Sequence, residues 1–136
     1  MTNYEMKSKV MSLGNRLAAK GNDRSAAFVQ AWAIVKAGGL EMAVRGVSFG
    51  NRQEALRRLA TYNPGQIKAV LVPEPTNPVD PAAIAVMVGV NNGRGLYRLG
   101  YVPRTLTPVV NAMRGQFLVL QVLEGEIRGA RLALAV

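Results

Sequence analysis

The chain has 136 residues and a formal net charge of +9, and it contains neither cysteine nor histidine. These absences exclude disulfides, Cys/His zinc sites, cysteine nucleophiles and the Ser-His-Asp triad. Because the eight acidic residues are scattered, we expect no metal site, no cofactor and no enzymatic activity. The positive charge favours a polyanionic partner, most commonly nucleic acid, over the alternative that it only keeps the protein soluble.

The sequence also indicates where the protein is found. No apolar run reaches the ~18 residues of a membrane span. The N-terminal residues MTNYEMKSKVMSLGNRLAAKG lack the apolar core of a signal peptide. We therefore expect a cytoplasmic protein that does not contact a membrane.

Residues 1–39 are predicted to form a helical hairpin. In residues 5–20, apolar side chains recur every three or four positions, which predicts one buried helix face: Met6, Val10, Leu13 and Leu17. Asp23 or Ser25 can cap a second helix, with a predicted buried face of Phe28, Trp32 and Val35. A helix-turn-helix motif is the alternative, but we favour simple packing because the basic residues lie only at the ends of the second helix. The sequence leaves three roles open for the hairpin: a surface for a protein partner or a second copy, a lid on the C-terminal domain, or a second binding element.

Residues 40–136 are predicted to be mainly β. Alternating or β-rich segments predict short strands at 41–49, 66–72, 82–88, 96–102, 116–123 and 126–136. Two short helices interrupt them, at 51–60 and after Thr107. This order predicts an α+β fold whose strands form a small closed or nearly closed barrel.

A proline-rich loop, PEPTNPVDP at 73–81, separates two of these strands. Asn77 is a typical turn starter, because its side chain can accept a hydrogen bond from its own backbone. Asp80 can cap the following segment in the same way. The loop could therefore serve only to reverse the chain, but that does not explain why both polar side chains lie at its tip.

Arginines and aromatic residues supply the candidate ligand contacts. Arg45 lies in the middle of the first predicted strand, and Arg98 and Arg104 flank the segment around Tyr101. Arginine suits bidentate phosphate contacts and stacking on bases. Tyr101, at a strand end, is the better stacking candidate, whereas Phe49 is expected to lie in the core.

Three segments resemble the HIRAN domain: GVSF (46–49), LVPEPTNPVDPAAIAV (71–86) and LGYVPR (99–104). The resemblance covers roughly residues 40–136. It implies a small β-barrel related to OB- and SH3-like barrels. The family includes standalone bacterial and phage proteins, and where studied it binds single-stranded DNA ends through the free 3′-hydroxyl.

The resemblance also assigns roles to individual residues. Asn77 and Asp80 are similar to the pocket for the terminal nucleotide, where a carboxylate accepts a hydrogen bond from the 3′-hydroxyl and repels a phosphate. Arg45 corresponds to a basic DNA contact and Tyr101 to a groove-lining position. Family members often carry an aromatic residue where this chain has Val79. Because stacking contributes ~1–3 kcal/mol per base, end recognition is expected to be weakened, altered or lost.

These observations predict a non-catalytic module that binds single-stranded DNA and its 3′ ends. The predicted contact residues are Arg45, Asn77, Asp80, Arg98, Tyr101 and Arg104. The alternative is a structural or regulatory adaptor that uses the barrel for protein–protein interaction.

Overall fold

A computed structural model describes residues 2–19, 21, 23–91, 93, 95–113 and 118–135. Over these residues the chain is an α+β fold with four α-helices and two three-stranded antiparallel sheets, which confirms the predicted class. It divides into two compact units. The first comprises Met1–Leu40, Pro108–Phe117 and Leu134–Val136, and the second comprises Glu41–Thr107 and Leu118–Ala133. None of the described helices is long and apolar enough to cross a membrane.

The helices are α1 (Asn3–Ala19), α2 (Arg24–Ala37), α3 (Arg52–Leu59) and α4 (Thr107–Ala112). The strands are β1 (Gly39–Ala43), β2 (Ile67–Pro73), β3 (Ile84–Val90), β4 (Tyr97–Tyr101), β5 (Leu118–Val122) and β6 (Ala130–Ala135). One sheet has the order β1-β6-β5 and the other β2-β3-β4. The first two residues of the predicted strand 116–123 lie outside the described part of the chain.

In the first unit, α1 and α2 pack against each other as predicted. Val10, Leu13 and Leu17 are buried on α1, which confirms three of the four positions predicted from their spacing, and the fourth, Met6, is half-buried. Asp23 caps α2, since its Oδ2 accepts a hydrogen bond from the Ala26 backbone N–H at 3.0 Å. Both helices therefore form where local sequence signals place them.

The predicted buried face of α2 is wrong at Trp32, whose side chain is 42% exposed. Val35 is buried as predicted and Phe28 is half-buried. The other buried residues of α2 are Ala27, Ala31 and Ile34. Small side chains at a helix contact allow the two helix axes to approach closely. The larger Trp32 therefore lies off the contact, at the border of the alanine face.

In the second unit, β3 is the central strand of its sheet and pairs with β2 along its whole length, from Ile67 opposite Val90 to Pro73 opposite Ile84. Against β4 the register shifts: Val86 faces Gly100 and Met87 faces Arg98, so Leu99 is an extra residue. Such a β-bulge changes which side chains of the bulged strand share a face.

The predicted closed barrel is wrong over the described residues, because the strands form two separate sheets. An isolated antiparallel bridge joins Arg45, which follows β1, to Tyr101 at the end of β4, with N···O distances of 2.8 and 2.9 Å. The strand predicted over 41–49 ends at Ala43. Gly46 has φ 79° and begins a turn, so the chain leaves β4 before a longer ladder can form.

Candidate functional site

The second unit contains a groove of about 780 Å³ beside the proline-rich loop, which we call the proline-loop groove. It lies between that loop, the Arg45–Phe49 segment and the end of β4. Five of the six residues that the sequence assigned to a site line it: Arg45, Asn77, Asp80, Tyr101 and Arg104. The sixth, Arg98, does not line the groove.

The loop itself is held by short-range hydrogen bonds. The Asn77 Oδ1 accepts from the backbone N–H groups of Val79 and Asp80, at 2.9 and 3.1 Å. The Asp80 Oδ1 accepts from the Ala82 N–H at 2.9 Å. Both polar side chains therefore form the turns that their residue types favour, and the prolines limit the remaining backbone freedom.

Asp80 nevertheless keeps one oxygen for another partner. Its Oδ2 lies 3.6 Å from the Nε of Arg104, and the two side chains are 19% and 80% exposed. A contact of this length is an ion pair without a good hydrogen bond. Because Arg104 is largely in solvent, the pair is weak, on the order of 0–1 kcal/mol. A hydroxyl donor from a ligand can compete for Oδ2.

Glu74, at the base of the loop, was not assigned a role from the sequence. Its Oε1 accepts from the Asn77 Nδ2 and from the Tyr101 hydroxyl, each at 3.0 Å. Its Oε2 lies 2.6 Å from the Nη2 of Arg98. The Asn77 hydrogen bond, with those of Tyr101 and Arg98, lowers the pKa of Glu74 although partial burial opposes the shift. Glu74 therefore joins the loop to β4.

The bulge in β4 explains how both partners on that strand reach Glu74. In a regular strand, residues 98 and 101 point to opposite faces, since side chains alternate. The extra residue Leu99 changes this alternation. Arg98 and Tyr101 can then contact the same carboxylate, which connects the predicted site residue Arg98 to the groove through Glu74.

Tyr101 is fixed on two sides. Its hydroxyl donates to Glu74, and the Arg52 guanidinium carbon lies 5.9 Å from the centre of its ring. Burial, and after it the hydrogen bond to Glu74, raises the pKa of Tyr101. Tyr101 is therefore a neutral, well-positioned wall of the groove.

The prediction that Phe49 lies in the core is wrong. Its side chain is 68% exposed and lines the groove. The turn that begins at Gly46 carries it outward, and the Gly46 carbonyl accepts a hydrogen bond from the Arg52 Nη1 at 2.7 Å. Val79, at the position where an aromatic residue was expected, is 85% exposed in the same groove. An exposed aromatic ring is therefore present, but on a different segment.

No family model matches the chain, and no curated protein or solved structure matches it either. The kind of ligand that the groove suits is therefore inferred from the side chains that line it. Among the described residues, no group of three or more acidic side chains is placed to hold a metal ion. The groove instead combines two exposed arginines, an exposed phenyl ring and a partly buried carboxylate, which suits an anionic ligand with an aromatic ring and a hydroxyl group.

Proposed function

We propose that this chain is a HIRAN-type module that binds single-stranded DNA at its 3′ end in the proline-loop groove and performs no catalysis. The observation that supports this most is the position of Asp80. One of its oxygens is left over from the loop's own hydrogen bonds, and it lies in a groove that Arg45 and Arg104 also line. A carboxylate in such a groove suits a ligand that is anionic along its length but ends in a hydroxyl.

Each part of the groove corresponds to one part of a DNA end. Arg45 and Arg104 are both exposed and bind backbone phosphates. Phe49, beside Val79, provides a ring on which a base stacks, and this requires an unpaired base. The Asp80 Oδ2 accepts a hydrogen bond from the terminal 3′-hydroxyl and repels a 3′-phosphate.

The test compares one labelled oligonucleotide with a 3′-hydroxyl or a 3′-phosphate, at two salt concentrations. We expect tighter binding of the hydroxyl end, and weaker binding of both at the higher salt concentration. Asp80→Asn keeps an oxygen for the Ala82 N–H and removes the charge, so it should abolish the difference between the ends. Asp23→Asn is the matched control, because Asp23 also accepts from a backbone N–H but does not line the groove.

Two results would contradict the proposal at different levels. Equal affinity of the unmodified protein for both ends would exclude 3′-end recognition and leave general binding of single strands. No binding at low salt would exclude a nucleic-acid function altogether.

A protein partner on α2 is the second candidate function. Val29 and Trp32 lie one helical turn apart on α2 and are 72% and 42% exposed. Adjacent exposed apolar side chains of this size favour a protein contact. Sedimentation of the unmodified protein and of Trp32→Lys tests whether the partner is a second copy. A monomer in both cases excludes self-association through this face.

A further inference from the structure

A second groove, of about 540 Å³, lies in the same unit and is built by α3, the end of β3 and the start of β4. We call it the tyrosine cleft. It is lined by Asn51, Glu54, Arg58, Tyr62, Leu96 and Tyr97, over an apolar wall that includes Leu59 and Val88. None of these residues lines the proline-loop groove.

Two aromatic rings in this cleft are accessible. Tyr62 and Tyr97 are 43% and 41% exposed, and the neighbouring Leu96 is 43% exposed. Tyrosine in a concave site offers an apolar ring face together with a polar hydroxyl, a combination that suits flat ligands with polar edges. On the cleft wall, Glu54 and Arg58 form an ion pair at 3.1 Å and provide an acceptor and donors for such edges.

Two elements connect the tyrosine cleft to the proline-loop groove. Tyr97 begins β4 in the cleft and Tyr101 ends the same strand in the groove. Because of the bulge at Leu99, Tyr97 and Tyr101 lie opposite Val88 and Ala85, three residues apart on β3. The two positions are therefore roughly 10 Å apart, and their side chains lie on opposite faces of the sheet. Asn51, which directly precedes α3, lines the cleft, while the first residue of α3, Arg52, lies over the Tyr101 ring.

Cationic side chains occur along this connection. Arg98 lies on β4 between the two tyrosines and is half exposed, with its Nη2 on Glu74. Arg52 lies at the first turn of α3, against Tyr101. Arg98 shares the sheet face of Tyr101 and Tyr97 lies on the other face, so a DNA strand that joins the two sites passes around the outer strand β4. Such a strand carries one negative charge per nucleotide, which these arginines match.

From these observations we infer that the tyrosine cleft binds the bases that lie two or more positions 5′ of the terminal nucleotide on the same DNA strand. The inference rests on the proposed function, since it extends the strand that enters the proline-loop groove. Stacking on Tyr62 and Tyr97 accepts any base. The cleft should therefore add affinity with length and little dependence on sequence.

The test measures the affinity of 3′-hydroxyl oligothymidylates from two to twelve nucleotides. We expect affinity to rise with length beyond the dinucleotide. Tyr62→Ala and Tyr97→Ala should each weaken binding of the long oligonucleotides by roughly 5-fold or more and leave the dinucleotide unchanged. Tyr4→Ala is the matched control, because Tyr4 is 81% exposed on α1 and lines neither groove.

Tyr97→Phe guards against a folding artefact, because it keeps the ring and should bind every length as the unmodified protein does. If affinity does not rise beyond the dinucleotide, or if both alanine variants bind long oligonucleotides normally, the cleft inference is wrong and the proposed function stands. If the alanine variants weaken binding of the dinucleotide as much as binding of the long oligonucleotides, the cleft inference is also wrong. If no oligonucleotide binds at low salt, both proposals fail.

Discussion

Replacing Glu74 with alanine should destabilise the second unit more than any other single removal of a surface carboxylate. Glu74 is only 15% exposed, and its two oxygens accept from Asn77 and Tyr101 and pair with Arg98. The substitution removes all three interactions at once. It also releases the loop from β4, since each of these partners lies on one of those two segments.

The magnitude follows from the exposure of each partner. Hydrogen bonds to a charged group contribute ~1.5–3 kcal/mol each, and the lower value applies here because Asn77 and Tyr101 retain some access to water. Arg98 is half exposed, so its pair adds at most ~1 kcal/mol. Glu74→Ala should therefore lower the free energy of unfolding by about 3 kcal/mol. For a chain of this size, Tm should fall by roughly 10 °C.

The pH dependence gives a second, independent signature. The folded protein lowers the pKa of Glu74, so its stabilisation is fully present above the pKa of an unfolded glutamate, ~4.3. It is lost as the pH falls through the lowered value in the folded state. The Tm difference between the unmodified protein and Glu74→Gln should thus be largest at neutral pH and shrink as the pH falls below ~4.

Thermal unfolding followed by circular dichroism measures both effects. The matched control is Glu54→Gln, because Glu54 is 59% exposed and pairs with Arg58, which is 78% exposed. An exposed pair of this kind contributes ~0.3–0.5 kcal/mol. The reasoning is refuted if Glu74→Ala lowers Tm no more than Glu54→Gln does, or if the Glu74→Gln difference is the same at acid and neutral pH.

Two further predictions concern the end of β4. Gly100→Ala should strongly lower the urea concentration at the midpoint of unfolding. The added Cβ would collide with the Arg45 carbonyl oxygen and lie 2.7 Å from a Val44 methyl group. An unchanged midpoint would exclude this close approach. Spectrophotometric titration, with Tyr101→Phe as the reference, should give Tyr101 a pKa above the ordinary tyrosine value, and Glu74→Gln should lower it part of the way, since burial remains the larger cause.

Local patterns predicted much of the fold. The spacing of Val10, Leu13 and Leu17 correctly gave the buried face of α1. In the helix predicted at 51–60, Leu56 and Leu59 are three residues apart, a spacing that predicts one inward face, and both are buried on α3. The turn chemistry of the proline-rich loop also follows from its own residues, because Asn77 and Asp80 bond to backbone groups two or three positions away.

What the sequence could not predict depends on residues distant in the chain. Whether the strands close into a barrel depends on pairings between distant segments, such as the bridge between Arg45 and Tyr101, and no local pattern contains their register. Glu74 acquires its role only because the bulge at Leu99 brings Arg98 and Tyr101 to it. The one available signal was a charged residue directly after β2, within the apolar and proline-rich run LVPEP.

Phe49 and Asp80 lie on different segments of the groove, and this leads to a last prediction about how the proposed site distinguishes a 3′-hydroxyl from a 3′-phosphate. Asp80 is held by the loop, and Phe49 by a turn that the Arg52–Gly46 hydrogen bond stabilises. Because the loop is fixed by its own bonds, it pays little ordering entropy on binding, and its carboxylate needs no aromatic neighbour at position 79. Phe49→Ala should therefore lower the affinity for the 3′-hydroxyl and the 3′-phosphate oligonucleotide by the same factor, roughly 5-fold or more.

Fluorescence anisotropy with both oligonucleotides measures this ratio, and Phe49→Trp should restore the affinity because it restores a stacking ring. Since Phe49 is 68% exposed, its removal should leave Tm nearly unchanged, so that lost affinity reports on contact with the base. If Phe49→Ala instead removes the preference for the hydroxyl end, stacking and end discrimination are one interaction. In that case the loop carboxylate depends on the ring for its position in the complex.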